Sequence, residues 1–205
     1  MGDRSLTVTH PTFWLIAGPD GVGRTIFAMK RLEAISGSIN FVNFDEISRG
    51  LSPLRPAAAE REAARIALSR VAHFIDSGST FAMETTLSGK AQMNLAREAR
   101  AAGLATSLLY LTARTPEICL ERIARRVAEG GHDVPEDIVR RRFTRSLDNL
   151  PAYLALSDLW RVYEASGPVP MLALEGRRGS VTYRDEDHLG SANAAVAAIA
   201  DAIGR

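Results

Sequence analysis

The chain has 205 residues, of which 46% are hydrophobic and 24% are charged, the balance of a soluble globular protein. Its formal net charge of +1 gives no electrostatic argument for a nucleic-acid or membrane partner. The single cysteine, Cys119, cannot form an internal disulfide, and the apolar run at residues 13–17 is too short for a signal peptide or a transmembrane helix. We therefore expect a cytoplasmic protein with one domain over residues 1–205, in which Cys119 is a buried, unreactive thiol.

Short apolar runs alternate with amphipathic stretches along the chain, which predicts a parallel β-sheet flanked by helices. The predicted strands are residues 13–17, 39–44, 80–83, 106–112, 160–165 and 171–175. The predicted helices are residues 24–35, 57–77 and 90–102, one that begins at Pro116 and ends before Gly130, one that begins near Pro135, and a last one from about Ser191. A polar turn is expected at residues 176–180. Residues 115–158, the lid segment, are expected to form a helical excursion from this α/β domain.

Residues 18–25, the phosphate loop, connect the first predicted strand to the first predicted helix. They are Gly18, Pro19, Asp20, Gly21, Val22, Gly23, Arg24 and Thr25, and they match the pattern GxxxxGK[ST] except at Arg24. Glycines allow the positive φ angles that turn backbone N–H groups toward phosphate oxygens, and the helix that follows adds its positive end. Thr25 is the predicted magnesium ligand. A glycine turn without a ligand is the alternative, but the full spacing favours binding of ATP and Mg²⁺.

Arginine occupies position 24, where the pattern requires lysine. Arginine keeps the charge, but its planar guanidinium is broader than the compact ammonium group of lysine. One explanation is compositional, since Lys30 and Lys90 are the only lysines of the sequence. The other is functional, namely that nucleotide binding is retained and turnover is weakened.

Two carboxylates, Asp45 and Glu46, follow the second predicted strand. In parallel α/β sheets the carboxyl ends of the strands carry the active site, and a kinase that acts on a hydroxyl group needs a proton acceptor there. Asp45 is the predicted base, with Glu46 and Arg49 as secondary candidates. The alternative role of Asp45 is to cap the N-terminus of the next helix.

Glu84 and Thr86 follow the third predicted strand. A carboxylate beside hydroxyl groups suits a polyhydroxyl acceptor or the water shell of magnesium, so both residues are predicted to bind substrate. The alternative is that Thr86 or Ser88 caps the helix that contains Lys90.

Arginines are concentrated in the lid segment. Arg122 and Arg126 are four residues apart and therefore share a helix face, and Arg142 lies on the second helix of the segment. Closure of this segment would bring guanidinium groups onto the β- and γ-phosphates, where they offset charge in the transition state. The alternative is a solvated pair of helices held by ion pairs. His132, in the loop between the helices, is either a surface residue or a catalytic one.

Five segments together resemble the zeta-toxin-like P-loop kinase family, in the branch labelled as predicted ABC-type ATPases, over about residues 14–166. They are AGPDGVGRT, FVNFDEISRGLSP, FAMETTLSGK, LLYLTARTPEICLERIARRVAEGGHDVPEDIVRRRF and RSLDNLPAYLALSDLWRVYEAS. Zeta toxins phosphorylate a sugar hydroxyl of UDP-N-acetylglucosamine. The resemblance therefore implies a hydroxyl acceptor on a small molecule such as a UDP-amino sugar, and an antitoxin protein as a partner.

The resemblance also implies roles for individual residues. Asp45 matches the catalytic base, Glu84 and Thr86 match acceptor-binding positions, and Arg122 matches a phosphate-contacting arginine. His132 falls near the place of a second arginine, a role that Arg126 or Arg142 would take over.

Three functional hypotheses follow from the sequence. The leading one is an ATP- and magnesium-dependent small-molecule kinase. The second is a nucleotide-binding module that is disabled at Arg24 and acts through a protein partner. The third, ATP hydrolysis coupled to motion, ranks below the others because the sequence contains no LSGGQ-like signature.

Overall fold

The computed structural model describes residues 10–38 and 40–203. The strands are β1 (Thr12–Ala17), β2 (Phe41–Val42), β3 (Phe81–Thr85), β4 (Ala105–Thr112), β5 (Leu159–Glu164), β6 (Met171–Arg177) and β7 (Ser180–Arg184). The helices are α1 (Arg24–Ser36), α2 (Phe44–Leu51), α3 (Glu60–Asp76), α4 (Ala91–Ala101), α5 (Pro116–Ala128), α6 (Glu136–Leu156), α7 (Glu186–Ser191) and α8 (Ala194–Ile203), with a 3-10 helix at Pro56–Ala59. Within the described ranges, none of the helices combines the length and apolar character needed to cross a bilayer.

The strands form one seven-stranded sheet in the order β2-β3-β1-β4-β5-β6-β7. The first five strands in chain order pair in parallel, as the alternation of strands and helices predicted. By contrast, β6 and β7 are antiparallel to their neighbours. Residues 165–170 are too few for the crossover that parallel pairing of β5 with β6 would need. The sheet is therefore mainly parallel, with an antiparallel hairpin at one edge.

Each face of the sheet packs against helices, so that the inner strand β1, between β3 and β4, is buried on both sides. Phe13 and Leu15 belong to a core with α3, α4 and α8, whereas Trp14 and Ile16 belong to a second core with α1 and α5. Successive strand residues point to opposite faces, which explains why β1 reads as a continuous apolar run. Cys119 lies in the second core, and burial raises its pKa to about 12, in agreement with the predicted unreactive thiol.

The lid segment is packed into the domain and does not project from it. On α6, Val139 and Phe143 join the core that contains α1 and α5, and Leu150 and Tyr153 join the core on the opposite face. Helix α6 is therefore packed against the two cores along its length, and the described part of residues 115–158 contains the two helices α5 and α6 between β4 and β5. The polar side of α5 and the loop at residues 129–135 are the parts of the segment that face the cleft described below.

Several predicted boundaries are wrong. The strand predicted at residues 39–44 is reduced to Phe41–Val42, with Ile39 outside the described residues. It ends there because the side chain of Asn43 accepts hydrogen bonds from the N–H groups of Asp45 and Glu46, which starts α2. The helix predicted at residues 57–77 begins with the 3-10 helix and continues as α3. The helix predicted from about Ser191 begins at Ala194 as α8, and the short helix α7 before it was not predicted.

Candidate active site

The phosphate loop leaves the end of β1 and leads into the N-terminus of α1. Gly18, Gly21 and Gly23 have φ angles of 143°, 79° and 100°, which side chains other than that of glycine rarely adopt. A Cβ atom on Gly18 would lie 2.3 Å from the carbonyl oxygen of Leu111, and one on Gly21 would lie 2.5 Å from that of Cys119. Glycine is therefore required at both positions for conformation and for space.

The guanidinium of Arg24 is buried and lies among acceptors of the protein itself. Its Nε donates to Glu84 Oε1 at 3.0 Å, its Nη1 donates to the carbonyl oxygen of Gly18, and its Nη2 lies 3.5 Å from Asp20 Oδ1. Burial alone lowers the pKa of Arg24, but the charges of Glu84 and Asp20 outweigh it and the pKa is raised. Arg24 is therefore a permanent cation whose charge is shared by two carboxylates.

Glu84 connects the phosphate loop to α2. Besides Arg24, its carboxylate accepts a hydrogen bond from Thr25 Oγ1 at 2.9 Å and another from Asn43 Nδ2 at 2.8 Å. The strand predicted at residues 80–83 extends to Thr85 as β3, so Glu84 lies within the strand and not after it. Because β3 pairs with β1, Glu84 lies beside the start of the phosphate loop.

Asp45 occupies the first turn of α2 and is exposed. Its predicted alternative role as the N-cap is wrong, because Asn43 is the N-cap and bonds the N–H group of Asp45 at 2.9 Å. The carboxylate of Asp45 is close enough to Arg24 to contribute to its raised pKa, after Glu84 and Asp20. Arg49, one turn later, donates to Glu46 at 2.7 Å on the exposed side of the helix.

The predicted arginines of α5 contact backbone oxygens. Arg122 Nη1 donates to the carbonyl of Val22 in the phosphate loop at 3.3 Å, and Nη2 donates to the carbonyls of Ser166 and Gly167 at 2.8 and 2.9 Å. Arg126 Nε donates to the carbonyl of His132 at 3.0 Å. Arg122 therefore bridges the phosphate loop and the loop after β5, while Arg126 fixes the loop that carries His132.

Arg142 and Thr86 occupy different surroundings. Arg142 reaches the phosphate loop from α6, where its Nη1 lies 3.1 Å from Asp20 Oδ2. Thr86 pairs with the hydroxyl of Ser88 at 2.7 Å and lies outside the lining of the main cleft. Neither hydroxyl caps α4, whose N-cap is Lys90, so that alternative is wrong.

A cleft of about 920 Å³ brings most of these residues together. Its walls are the phosphate loop, the start of α1, α2 with Asp45 and Arg49, and α5 with Arg122 and Arg126; Glu84 and His132 also face it. The loop after β5, residues 165–170, closes one side. The volume lies within the usual range of small-molecule sites.

The oxygen atoms of Thr25 and Glu84 fit the ligand preference of magnesium. The hydroxyl and the carboxylate lie 2.9 Å apart at the mouth of the phosphate loop, and Mg²⁺ is usually held by one or two carboxylates together with substrate phosphates and water. Over residues 10–38 and 40–203, no group of three or more His, Cys, Asp or Glu side chains is arranged to hold a metal.

Three features of the site were missed by sequence reasoning. Asn43 precedes two acidic residues, an N-cap signal that could have been read from the sequence. The contacts of Arg122 with the loop after β5 and of Arg142 with Asp20 join residues 44 and 122 positions apart, and no local pattern indicates them.

A glycine-rich phosphate loop at the end of β1, an inner strand of a mainly parallel sheet, defines a P-loop protein with the kinase type of fold. The chain belongs to the AAA domain family, whose model matches residues 13–152. It is 31% identical over 126 residues to an uncharacterized protein of Haemophilus influenzae, an alignment that covers 62% of this chain and 88% of the relative.

Two solved structures show the same fold at low sequence identity. One belongs to the PezAT chromosomal toxin-antitoxin system of Streptococcus pneumoniae, with a TM-score of 0.64 and 14% identity over 98% of this chain and 81% of that chain. The other is a chain of the AvrRxo1-ORF1:-ORF2 complex with ATP, with a TM-score of 0.70 and 16% identity over 91% of this chain. The present chain spans 64% of that second chain.

Proposed function

We propose that the protein is a phosphotransferase that transfers the γ-phosphoryl group of Mg-ATP to a hydroxyl group of a small molecule. The observation that carries this proposal is the Glu84 carboxylate, which accepts hydrogen bonds from both Thr25 and Asn43. This contact brings the phosphate loop and the N-terminus of α2, with Asp45, to one cleft. A donor site and an acceptor-side carboxylate are therefore adjacent, as phosphoryl transfer requires.

In the proposed reaction the backbone N–H groups of residues 20–25 would hold the phosphates, and Thr25 with Glu84 would hold the magnesium ion. Magnesium bound with ATP neutralises part of the phosphate charge. The acceptor oxygen attacks the γ-phosphorus, the bond from that phosphorus to the bridging oxygen breaks, and ADP leaves. Asp45 takes the proton of the acceptor hydroxyl. Arg122 and Arg126 also line the cleft, from which a guanidinium can approach the transferring group.

The acceptor that we propose is a UDP-amino sugar such as UDP-N-acetylglucosamine, on the basis of the family resemblance. The lining of the cleft includes Lys30, Arg31 and Arg49, whose charges are compatible with a diphosphate-bearing molecule. The structural similarity to the PezAT toxin-antitoxin system supports an antitoxin protein as a proposed partner.

The test is phosphoryl transfer from γ-labelled ATP with magnesium into a panel of UDP-sugars, nucleosides and free sugars. Wild-type protein is compared with Asp45→Asn and with Glu46→Gln, a matched control that removes the neighbouring carboxylate charge. Label in one acceptor, lost in Asp45→Asn and retained in Glu46→Gln, is the expected result. Label that is retained in Asp45→Asn would contradict the proposed base.

A second candidate function is a nucleotide-binding module without efficient transfer. It is favoured by one observation, the engagement of Arg24 with Glu84, Asp20 and the carbonyl of Gly18. A guanidinium held in this way contributes less charge to the γ-phosphate than the lysine of an ordinary P-loop. Binding of Mg-ATP by calorimetry, with no transfer to any acceptor of the panel, would select this function.

A further inference from the structure

The phosphate loop contains a buried carboxylate, Asp20. Its side chain is 9% exposed, and it lies between Gly18 and Gly21, whose positive φ angles give the loop the shape of an anion nest. A carboxylate beside bound phosphate opposes binding, because like charges a few ångströms apart repel strongly where water is scarce. Asp20 therefore needs compensation if this loop is to bind polyphosphate, as the proposed function requires.

Arg24 alone does not supply that compensation. Its guanidinium lies 3.5 Å from Asp20 and 3.0 Å from Glu84, so one positive charge is paired with two negative charges. Arg142 adds the second positive charge at 3.1 Å from Asp20. With Arg142 the four side chains carry no net charge, and without it they carry one negative charge at the phosphate loop.

The backbone of α6 holds Arg142 at this place independently of the loop. Its neighbours Val139 and Phe143 are 0% and 4% exposed and belong to the core that contains α1. The side chain of Arg142 is 40% exposed, so that it keeps partial contact with solvent while it pairs with Asp20. The position of this charge is thus set by core packing and not by the phosphate ligand.

We propose that Arg142 sets the polyphosphate affinity of the loop by neutralising Asp20, and that it does so as a positioning residue without contacting phosphate itself. This inference rests on the proposed nucleotide site and adds to it a control element. A ligand or protein that draws Arg142 away from Asp20 lowers nucleotide affinity without touching the loop.

The test is a double-mutant cycle on binding. Dissociation constants for tripolyphosphate and for Mg-ATP are measured by calorimetry for wild type, Arg142→Ala, Asp20→Asn and the double variant. We expect Arg142→Ala to weaken binding about tenfold or more in the wild-type background, and about twofold or less in the Asp20→Asn background, where the charge to be neutralised is gone.

Two further variants serve as controls. Arg145→Ala removes the same charge from α6, one turn further along, and is expected to leave affinity within about twofold. Arg142→Lys keeps the charge and is expected to restore most of the affinity. Thermal unfolding of each variant confirms that it is folded at the assay temperature, and Arg142→Gln replaces Arg142→Ala if the latter is unfolded.

An equal loss on Arg142→Ala in both backgrounds would overturn the inference, because it would mean that Arg142 contacts phosphate directly. No binding of tripolyphosphate or Mg-ATP by the wild type would also overturn it. Binding that shows the expected coupling, together with no phosphoryl transfer in the acceptor panel, would leave the inference standing and refute only the proposed kinase.

Discussion

Removal of the charge of Glu84 is predicted to destabilise the protein more than removal of any exposed carboxylate. Breaking a buried ion pair costs about 3–5 kcal/mol because an unpaired charge remains inside the protein. In Glu84→Gln the guanidinium of Arg24 still faces Asp20 at 3.5 Å, and the new amide can still accept one of the remaining hydrogen bonds. We therefore expect the free energy of unfolding to fall by about 2–3 kcal/mol.

Glu46→Gln is the matched control for this prediction. Glu46 pairs with Arg49 at 2.7 Å, a shorter distance than the 3.0 Å between Glu84 and Arg24. However, the side chains of the control pair are 48% and 42% exposed, against 8% and 7% in the buried pair. An exposed pair contributes about 0.5 kcal/mol or less, so burial and not distance decides the difference.

The assay is equilibrium unfolding in urea, followed by the fluorescence of Trp14 and Trp160, which are both fully buried. Linear extrapolation gives the free energy of unfolding of each variant. A decrease in the free energy of unfolding below about 1 kcal/mol in Glu84→Gln, or an equal decrease in Glu46→Gln, would refute the reasoning that the buried contacts of the Glu84 carboxylate stabilise the site.

Four further predictions concern single residues. Asp45→Asn is expected to slow phosphoryl transfer about 100-fold or more with unchanged Mg-ATP affinity; equal transfer rates would exclude Asp45 as the base. Arg24→Lys is expected to raise ATP turnover, since the compact ammonium is freer to approach the β- and γ-phosphates, and a turnover equal to that of the wild type would contradict this. Gly21→Ala is expected to lower the free energy of unfolding in urea by about 3 kcal/mol, because backbone strain adds to overlap of the new Cβ with a carbonyl oxygen. Gly23→Ala, where a Cβ has open space, should lower it by only about 1–2 kcal/mol. Similar losses in the two variants would argue against a steric role of Gly21. Burial raises the pKa of Cys119 from 9.0 to about 12, so the thiol ionises at lower pH in the unfolded chain than in the folded one. The contribution of this thiol to the free energy of unfolding is therefore full below pH 9 and falls by about 1.4 kcal/mol per pH unit above it. Cys119→Ala should flatten that slope between pH 9 and 10 in urea unfolding, and an unchanged slope would assign it to other groups.

The sequence determined the parts of the protein that depend on local spacing. The apolar run of β1, the three glycines of the phosphate loop and Thr25 at the start of α1 follow one another directly. Strand, turn and helix are therefore specified by neighbouring residues, and their predicted order agrees with the structure. The boundary of β2 was missed because the local cap at Asn43 ended the strand within residues 39–44, whose apolar residues had predicted a longer one.

Only the tertiary structure decided which charges meet in the site. Glu84 lies 60 residues from Arg24 and 41 from Asn43 along the chain, and Arg142 lies 122 residues from Asp20. These contacts depend on the pairing of β3 with β1 and on the packing of α6 against the core. A hydrogen bond between distant residues depends on how strands and helices are arranged in space, which local sequence patterns do not encode. The sequence therefore identified Arg24 as an unusual residue, and the fold determined that its charge is shared with Glu84 and Asp20.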